Sequence, residues 1–285
     1  MTTDNLISVR DLNVNFSTPR GEVHAVKNVS FDLKRERLGI VGESGSGKSQ
    51  TGRALLRLTA GNGRISANEM NLDGMDLMKA SKREMRAIRG RKISMIMQDP
   101  KYSLNPVISV GKQIAEACRV HESISKNEAR ERALHMLDIV RIREPEKVFN
   151  LYPHQVSGGM GQRIMIAMML ITDPKVMIAD EPTSALDVTV QMQILALLDN
   201  MVLERGMGLV LISHDLQLVS SFCDRVLVMY GGRIMEILDA KDLSNAKHPY
   251  TQGLLNCLPR MDGKHADLPV LKRDPKWLSA TGESL

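Results

Sequence analysis

The densest chemistry in the sequence lies in eight residues, GESGSGKS at 42–49. Gly42, Gly45 and Gly47 let the backbone turn tightly, so that several N–H groups converge on phosphate oxygens where a helix begins. Lys48 brings a cation to the β- and γ-phosphates, and the Ser49 hydroxyl can ligand Mg²⁺. Glu43, Ser44, Ser46 and the following Gln50 complete the cradle. The spacing fits GxxxxGK[ST] in full, after the apolar run LGIVG (38–42) and before KSQTGRALLRLTAG, which reads as a helix ending at Gly61. The chemistry implied is the binding of a nucleotide's phosphates together with a divalent cation.

Two further stretches add to it. VMIADEP (176–182) is a continuous apolar run that ends in two adjacent carboxylates, Asp180 and Glu181. Such a run suits a parallel strand covered on both faces, and ligands of α/β folds bind at the carboxyl ends of those strands. Asp180 is there a candidate Mg²⁺ ligand and Glu181 the natural base for an attacking water. Alone, the pair reads as a charged turn; a phosphate loop upstream favours the chemical role. VSGGMGQR (156–163) is a second anion-binding turn, with Ser157, Gly158, Gly159 and Met160 opening an apolar helix, yet it carries no lysine.

The elements that must position these groups follow from periodicity. Leu12, Val14 and Phe16 alternate with polar neighbours, as do Val29, Phe31 and Leu33, which predicts half-buried strands in the first part of the chain. ISMIM (93–97) reads as a strand. From about 99 to 174 the pattern turns helical: SKNEARERALHMLDIV opens on Ser125 and Glu128, spaced as a capping box, with Ala129, Ala133, Leu137 and Val140 on one face. GGMGQRIMIAMMLIT is apolar nearly all round, a buried helix stopping at Asp173-Pro174. Strand signals return in VMIAD and GLVLISHD (208–215), a helix fills about 189–205, and RVLVMYGGRIMEI reads as a hairpin turning at Gly231-Gly232. Strands alternating with helices predict an α/β fold with a mainly parallel sheet and an inserted helical part. The last twenty residues, with the lone Trp277, read as a loosely held tail.

Composition bounds the rest. With 43% hydrophobic and 25% charged residues the chain has the make-up of a soluble globular protein. Its longest apolar run, Ile164 to Ile171, is far too short to cross a bilayer, and MTTDNLISVRDL lacks a signal layout, so a cytoplasmic location is expected. Cys118, Cys223 and Cys257 stand far apart with no CxxC pair, which offers neither a zinc nor a disulfide framework. Net charge is +5, densest in KREMRAIRGRK (82–92), where Lys82, Arg86 and Arg89 fall on one helical face. No aromatics interleave these basics, so a solvated face is favoured over a nucleic-acid surface.

A phosphate loop, then SGG opening a buried helix, then apolar-DE, then SALD (184–187) and a strand-end His resembles the ATP-binding-cassette (ABC) ATPases over roughly residues 6–260. The resemblance implies a P-loop NTPase fold with an N-terminal antiparallel β part and a helical subdomain at about 99–174, inside a domain of residues 1–260 followed by a tail, 261–285. It also explains the lysine-free turn. In that family Ser157, Gly158, Gly159 and Met160 would close on ATP held in the phosphate loop of another subunit, which brings its own lysine. By position, Gln98 in MQDP resembles the glutamine that senses Mg²⁺ and attacking water, and His214 the histidine that contacts the γ-phosphate. Phe16 either stacks on adenine or packs in the core.

QDPKYSLNP (98–106), HPYTQGLL (248–255) and SGGM resemble the cassettes of oligopeptide, dipeptide and nickel importers. Two positions depart: Gly161 stands where those relatives often have a larger residue, and the Cys-rich segment many carry after HPYT is absent, so no iron–sulfur cluster is expected. The implied partners are a second ABC ATPase subunit (a heterodimer favoured, a homodimer open), two transmembrane permeases and a separate extracytoplasmic solute-binding protein. Nucleic acid is not among them, and the location is peripheral, on the cytoplasmic face of the inner membrane. The alternative is a soluble ABC ATPase of DNA repair or translation. Repair ATPases put long coiled coils between loop and signature, and translation factors carry two cassettes per chain; here Lys48 and Ser157 are about a hundred residues apart and there is one cassette. A small-molecule kinase or GTPase leaves SGGMGQR and SALD unexplained, and no NKxD occurs.

Overall fold

Alternating apolar residues near the N-terminus form two long strands, β1 (Ile7–Thr18) and β2 (Gly21–Leu33), paired antiparallel from Ile7↔Leu33 to Thr18↔Gly21. Val9, Leu12, Val14, Val29 and Leu33 are fully buried and Phe31 nearly so, as a sheet with one face on a core requires. The pairing is irregular at three places, between Val9 and Leu12, where Asp11 has φ 53°, between Leu12 and Val14, and between Val14 and Asn15. The described residues of this computed structural model are 5–98, 103–184, 186–257, 271 and 274–279. They fall into two compact units, Met1–Lys79 with Val210–Leu285, and Ala80–Leu209.

In the first unit β3 (Arg37–Val41) delivers the chain to the phosphate loop, and α1 (Lys48–Leu55) leaves it. The helix is shorter than the expected run to Gly61. Arg57 takes φ 51°, and the N–H groups of Arg57 and Leu58 donate to Ala54 O and Arg53 O, each at 2.9 Å, the left-handed closure of a helix end; the Arg57 guanidinium donates to Leu77 O at 3.2 Å. Three short strands follow that the sequence pattern does not reveal: β4 (Gly63–Ser66), β5 (Glu69–Leu72) and β6 (Met75–Asp76). They complete the antiparallel sheet, ordered β2-β1-β5-β6 with β4 also on β1.

Beyond Val210 the unit continues with the end of β9 (Gly208–Ile212), α8 (Leu216–Phe222), β10 (Arg225–Tyr230) and β11 (Arg233–Asp239), in the lateral order β11-β10-β3-β9. β10 runs parallel to β3, and the Gly231-Gly232 turn closes an antiparallel hairpin with β11, both glycines at positive φ. GLVLISHD is a strand only to Ile212. α9 (Pro249–Asn256) starts on Pro249 and is capped by His248, whose Nδ1 accepts the Tyr250 N–H at 3.1 Å. The tail is not loosely held where it is described: Trp277, in the single turn α10 (Lys276–Ser279), packs on Tyr230, Tyr250 and His248.

The second unit begins with α2 (Lys82–Ile88), capped reciprocally by Ser81 and Glu84. Lys82, Arg83 and Arg86 are exposed, so the basic cluster is a solvated face; Arg89 has left the helix with an extended backbone. β7 (Ile93–Ile96) pairs in parallel with β8 (Val176–Asp180). Between them lie α3 (Val110–His121), α4 (Lys126–Ile139), α5 (Pro145–Phe149) and α6 (Gly158–Leu170). Ala129, Ala133, Leu137 and Val140 are fully buried, the face expected for α4. Only half of its capping box forms: Ser125 accepts the Glu128 N–H at 3.1 Å, while Arg132 draws the Glu128 carboxylate to itself at 2.7 Å. α7 (Val188–Arg205) is capped by Asp187 and ended by Gly206 at φ 65°, and the chain returns to the first unit within β9.

Candidate active site

The phosphate loop in the first unit is built on glycine. Gly42, Gly45 and Gly47 have φ of 148°, 79° and 101°, a region closed to most side chains. Two are also short of space: a Cβ at Gly42 would overlap Met229 O, and one at Gly47 would lie 2.5 Å from Ala25 O. The main chain braces the loop from outside, Gly232 N donating to Ser46 O at 3.0 Å and Gly232 O accepting from Lys27 N at 2.8 Å. The Lys48 ammonium is buried and folds back to donate to Gly42 O and Glu43 O, each at 2.8 Å, with Ser46 Oγ at 3.4 Å. Its charge thereby sits at the centre of the loop rather than in solvent. Glu43, Ser49 and Gln50 are half-buried, whereas Ser44 and Gly45 are exposed at the loop's tip.

His214 lies in the same unit, exposed just past β9, between Ser213 and Asp215. Ser213 Oγ accepts the Asp215 N–H, and Asp215 in turn caps α8 by accepting from Leu218 N, both at 3.0 Å, so the segment presenting the imidazole is fixed on either side. Phe16 is half-buried and its ring packs over Gly63, where a Cβ would come within 2.8 Å. It therefore stands apart from the fully buried Leu12 and Val14 with which it alternates.

In the second unit Asp180 ends β8 and is 2% exposed. Glu181, the next residue, has φ 48°, outside the strand conformation, so β8 ends between the two carboxylates. Gln98 Nε2 donates to Glu181 Oε2 at 2.9 Å, joining residues 83 positions apart that sequence reasoning had assigned to one reaction. Asp99 and Pro100, after Gln98, lie outside the described residues, as does Ala185 of SALD. Among the described residues no three His, Cys, Asp or Glu side chains gather as a metal cluster. The buried Asp180 carboxylate is an oxygen donor of the kind Mg²⁺ takes, one or two at a time alongside phosphate and water oxygens.

The signature turn opens α6. Ser157 Oγ accepts the Met160 N–H at 3.3 Å, leaving its own hydrogen to donate outward, and Gly158 is exposed with open space where a Cβ would stand. Arg163 anchors the turn from behind, its Nε donating to Gly159 O at 3.4 Å, and burial pushes its pKa down. Two features escaped sequence reasoning. Gln162, fully buried, donates to Pro182 O at 2.7 Å and so ties the signature helix to the residue after Glu181. Tyr250 Oη accepts the Glu43 N–H at 3.1 Å. HPYT marked Tyr250 as a motif residue, but nothing local in the sequence pointed it at the loop.

The chain matches the ABC transporter family over residues 26–184, and the oligopeptide/dipeptide transporter C-terminal region over residues 235–282. It is 48% identical to the oligopeptide transport ATP-binding protein OppD of Escherichia coli over 274 residues, 95% of this chain and 81% of that protein. Identity to the protein of the same name from Haemophilus influenzae is 45% over 272 residues, 95% of this chain and 84% of the relative. Among solved structures, a dimeric ATP-binding cassette in a post-hydrolysis state bound to ADP and Pi superposes with TM-score 0.76 at 26% identity, covering 82% of this chain and 98% of that one. The cbiO1 subunit from Clostridium perfringens gives 0.69 at 27% identity, over 86% and 93% of the two chains. The repair or translation alternative gains no support from these relatives. The fold is that of the P-loop NTPases, and the chain belongs to the ABC transporter family as an ATP-binding, ATP-hydrolysing subunit with an oligopeptide/dipeptide-type C-terminal region.

Proposed function

We propose that the chain powers the import of short peptides, hydrolysing ATP at a site that a second cassette completes. The observation that carries the chemistry is the Glu181 carboxylate, set one residue past β8 and held by Gln98 at 2.9 Å. In this reading the loop N–H groups from Gly42 to Gln50 and the Lys48 ammonium hold the phosphates, and Phe16 borders the adenine. Ser49, Asp180 and Gln98 would hold Mg²⁺, which when bound would supply positive charge against the phosphate oxygens. Glu181 takes a proton from the water that attacks the γ-phosphorus, while the bond to the β-phosphate oxygen breaks and ADP and phosphate leave. His214 steadies the γ-phosphate. Ser157, Gly158, Gly159 and Met160 serve the ATP of the facing subunit.

Peptide as cargo is supported by the names of relatives 45–48% identical to this chain and by the match of its C-terminal region. The proposed assembly pairs this chain with a distinct, related cassette beneath two permeases, at the cytoplasmic face of the inner membrane, with a separate solute-binding protein outside. No described helix is long and apolar enough to span the membrane itself. Residues 1–260 act as the ATPase domain, about 99–174 as its helical subdomain and 261–285 as a tail. Three widely spaced cysteines support a chain without an iron–sulfur cluster, and nothing in its charge pattern calls for nucleic acid. The test is a pair of variants in the assembled transporter: Glu181→Gln should bind ATP and lose most turnover, and Lys48→Ala should lose ATP affinity. Near-normal hydrolysis by Glu181→Gln would move the base elsewhere.

A further inference from the structure

The peptide group joining Gly42 to Glu43 is held at both ends. Its carbonyl, Gly42 O, accepts from Lys48 Nζ at 2.8 Å, and its N–H donates to Tyr250 Oη at 3.1 Å. A peptide is a rigid plane, so fixing one end fixes the direction of the other. The phenol comes from a helix 207 residues away in sequence, and Tyr250 is fully buried. The next carbonyl, Glu43 O, also holds the lysine and receives the Ser46 N–H at 3.2 Å. The orientation of the peptide on which the ammonium rests is therefore set from the C-terminal part of the chain.

Tyr250 is packed between β10 and the tail. Its ring lies 4.7 Å from Tyr230 and 5.7 Å from Trp277, and Trp277 stands edge-on to Tyr230 at 5.9 Å. Such tilted and edge-to-face pairs are the favourable geometries for aromatic rings. Leu271 presses on Gly253 so closely that a Cβ there would overlap it, a second point at which the tail rests on α9. Tyr230 ends β10 and leads directly into the turn whose Gly232 N–H donates to Ser46 O. Both flanks of the loop thus rest on one aromatic cluster whose outer member belongs to the tail.

We propose that Tyr250 is a positioning residue for the phosphate loop, and that Trp277, packed against it, couples seating of the C-terminal segment to occupancy of the loop by ATP. The proposal rests on residues 42–49 being the nucleotide's phosphate site. Nucleotide binding tightens the loop, the loop's Glu43 N–H bears on the phenol, and the phenol bears on the indole. The C-terminal segment becomes a place from which ATP affinity is tuned and at which ATP occupancy is read.

Trp277 is the only tryptophan, so its emission reports this cluster alone. The experiment titrates full-length protein with ATP and Mg²⁺, following tryptophan fluorescence, and measures the dissociation constant independently by equilibrium dialysis. Wild type should show a saturable change in emission with a midpoint equal to the dialysis constant. Tyr250→Phe, which removes one oxygen and keeps the ring, should bind ATP roughly three- to tenfold more weakly, the worth of one such hydrogen bond, with the emission change reduced or lost. Trp277→Leu, with the phenol intact, should weaken binding in the same direction, and it keeps the test alive if Tyr250→Phe folds poorly. A merely structural cluster would lower the melting temperature of both variants and leave ATP affinity at the wild-type value. That result, with tryptophan emission indifferent to saturating ATP, overturns the proposal. Lys48→Ala separates the two failures: if it binds ATP as tightly as wild type, the phosphate-site reading itself is wrong; if it loses binding while Tyr250→Phe does not, only the coupling is.

Discussion

Two glycines of the phosphate loop make a matched pair for testing how the loop is held. Gly45 and Gly47 both have positive φ, so an alanine at either adopts a conformation that costs about 1–2 kcal/mol. They differ in surroundings. A Cβ at Gly45 meets nothing within 4 Å, whereas at Gly47 it lies 2.5 Å from Ala25 O and 3.3 Å from Gly232 Cα. Ala25 belongs to β2, and two residues on Lys27 N is bonded to Gly232 O, so that backbone has little freedom to withdraw. Overpacking of this kind costs ~1–3 kcal/mol. Backbone strain and unfolded-state entropy are common to both substitutions and cancel, leaving the clash as the difference. At about 2–4 °C per kcal/mol for a chain of this size, Gly47→Ala should melt about 2–12 °C below Gly45→Ala by scanning calorimetry without nucleotide. Equal melting temperatures would mean the contact with β2 does not hold the loop, and would refute the bracing described above.

On the proposal that the cassette completing the site is a distinct chain, Lys48→Ala and Ser157→Arg chains, each inactive, should stay inactive when mixed with no other protein present; ATPase activity recovered on mixing would instead establish a homodimer, in which one site of each mixed pair is intact. His248 gives a pH dependence. Burial pushes its pKa below the ordinary 6.5, against an opposing pull from Glu236, and its Nδ1 must be neutral to accept the Tyr250 N–H. The folded state then binds fewer protons than the unfolded one, so this contribution is present above about pH 6.5 and is lost as pH falls through the folded value. Melting temperature followed from pH 7.5 to 5 should drop more for wild type than for His248→Asn, whose cap does not titrate; parallel curves would contradict the assignment.

Much of this architecture is legible in the sequence because its signals are local. GxxxxGKS must bend where glycine allows, VMIAD must be buried on both faces, and a double glycine between β-branched runs must turn. The rest depends on contacts that no window of sequence contains. Strands β4, β5 and β6 have four, four and two residues, too few for alternation to show, and exist because β1 offers them an edge. α1 stops early because Arg57 takes the left-handed turn that closes it, without the glycine that would have marked the place in the sequence. Glu181 was readable from its place at a strand end but Gln98 only through resemblance, and their hydrogen bond follows from β7 and β8 running parallel, which places both strand ends on one side. Trp277 read as part of a tail because its partners are Tyr230 and Tyr250, remote in the sequence.

The backbone of Glu181 carries a consequence for how such a chain can change over generations. At φ 48° a glutamate occupies a conformation that asparagine adopts with less strain, and a residue held this way gives up about 1 kcal/mol or more of stability. Random substitution with selection for folding alone would therefore drift toward asparagine here, yielding a protein that is sturdier and, on the proposed chemistry, inert. The carboxylate persists only while hydrolysis itself is under selection. A library of this chain sorted for thermal resistance should consequently accumulate inert variants substituted at residue 181, and stabilising the protein for laboratory use is safest when that residue is left alone.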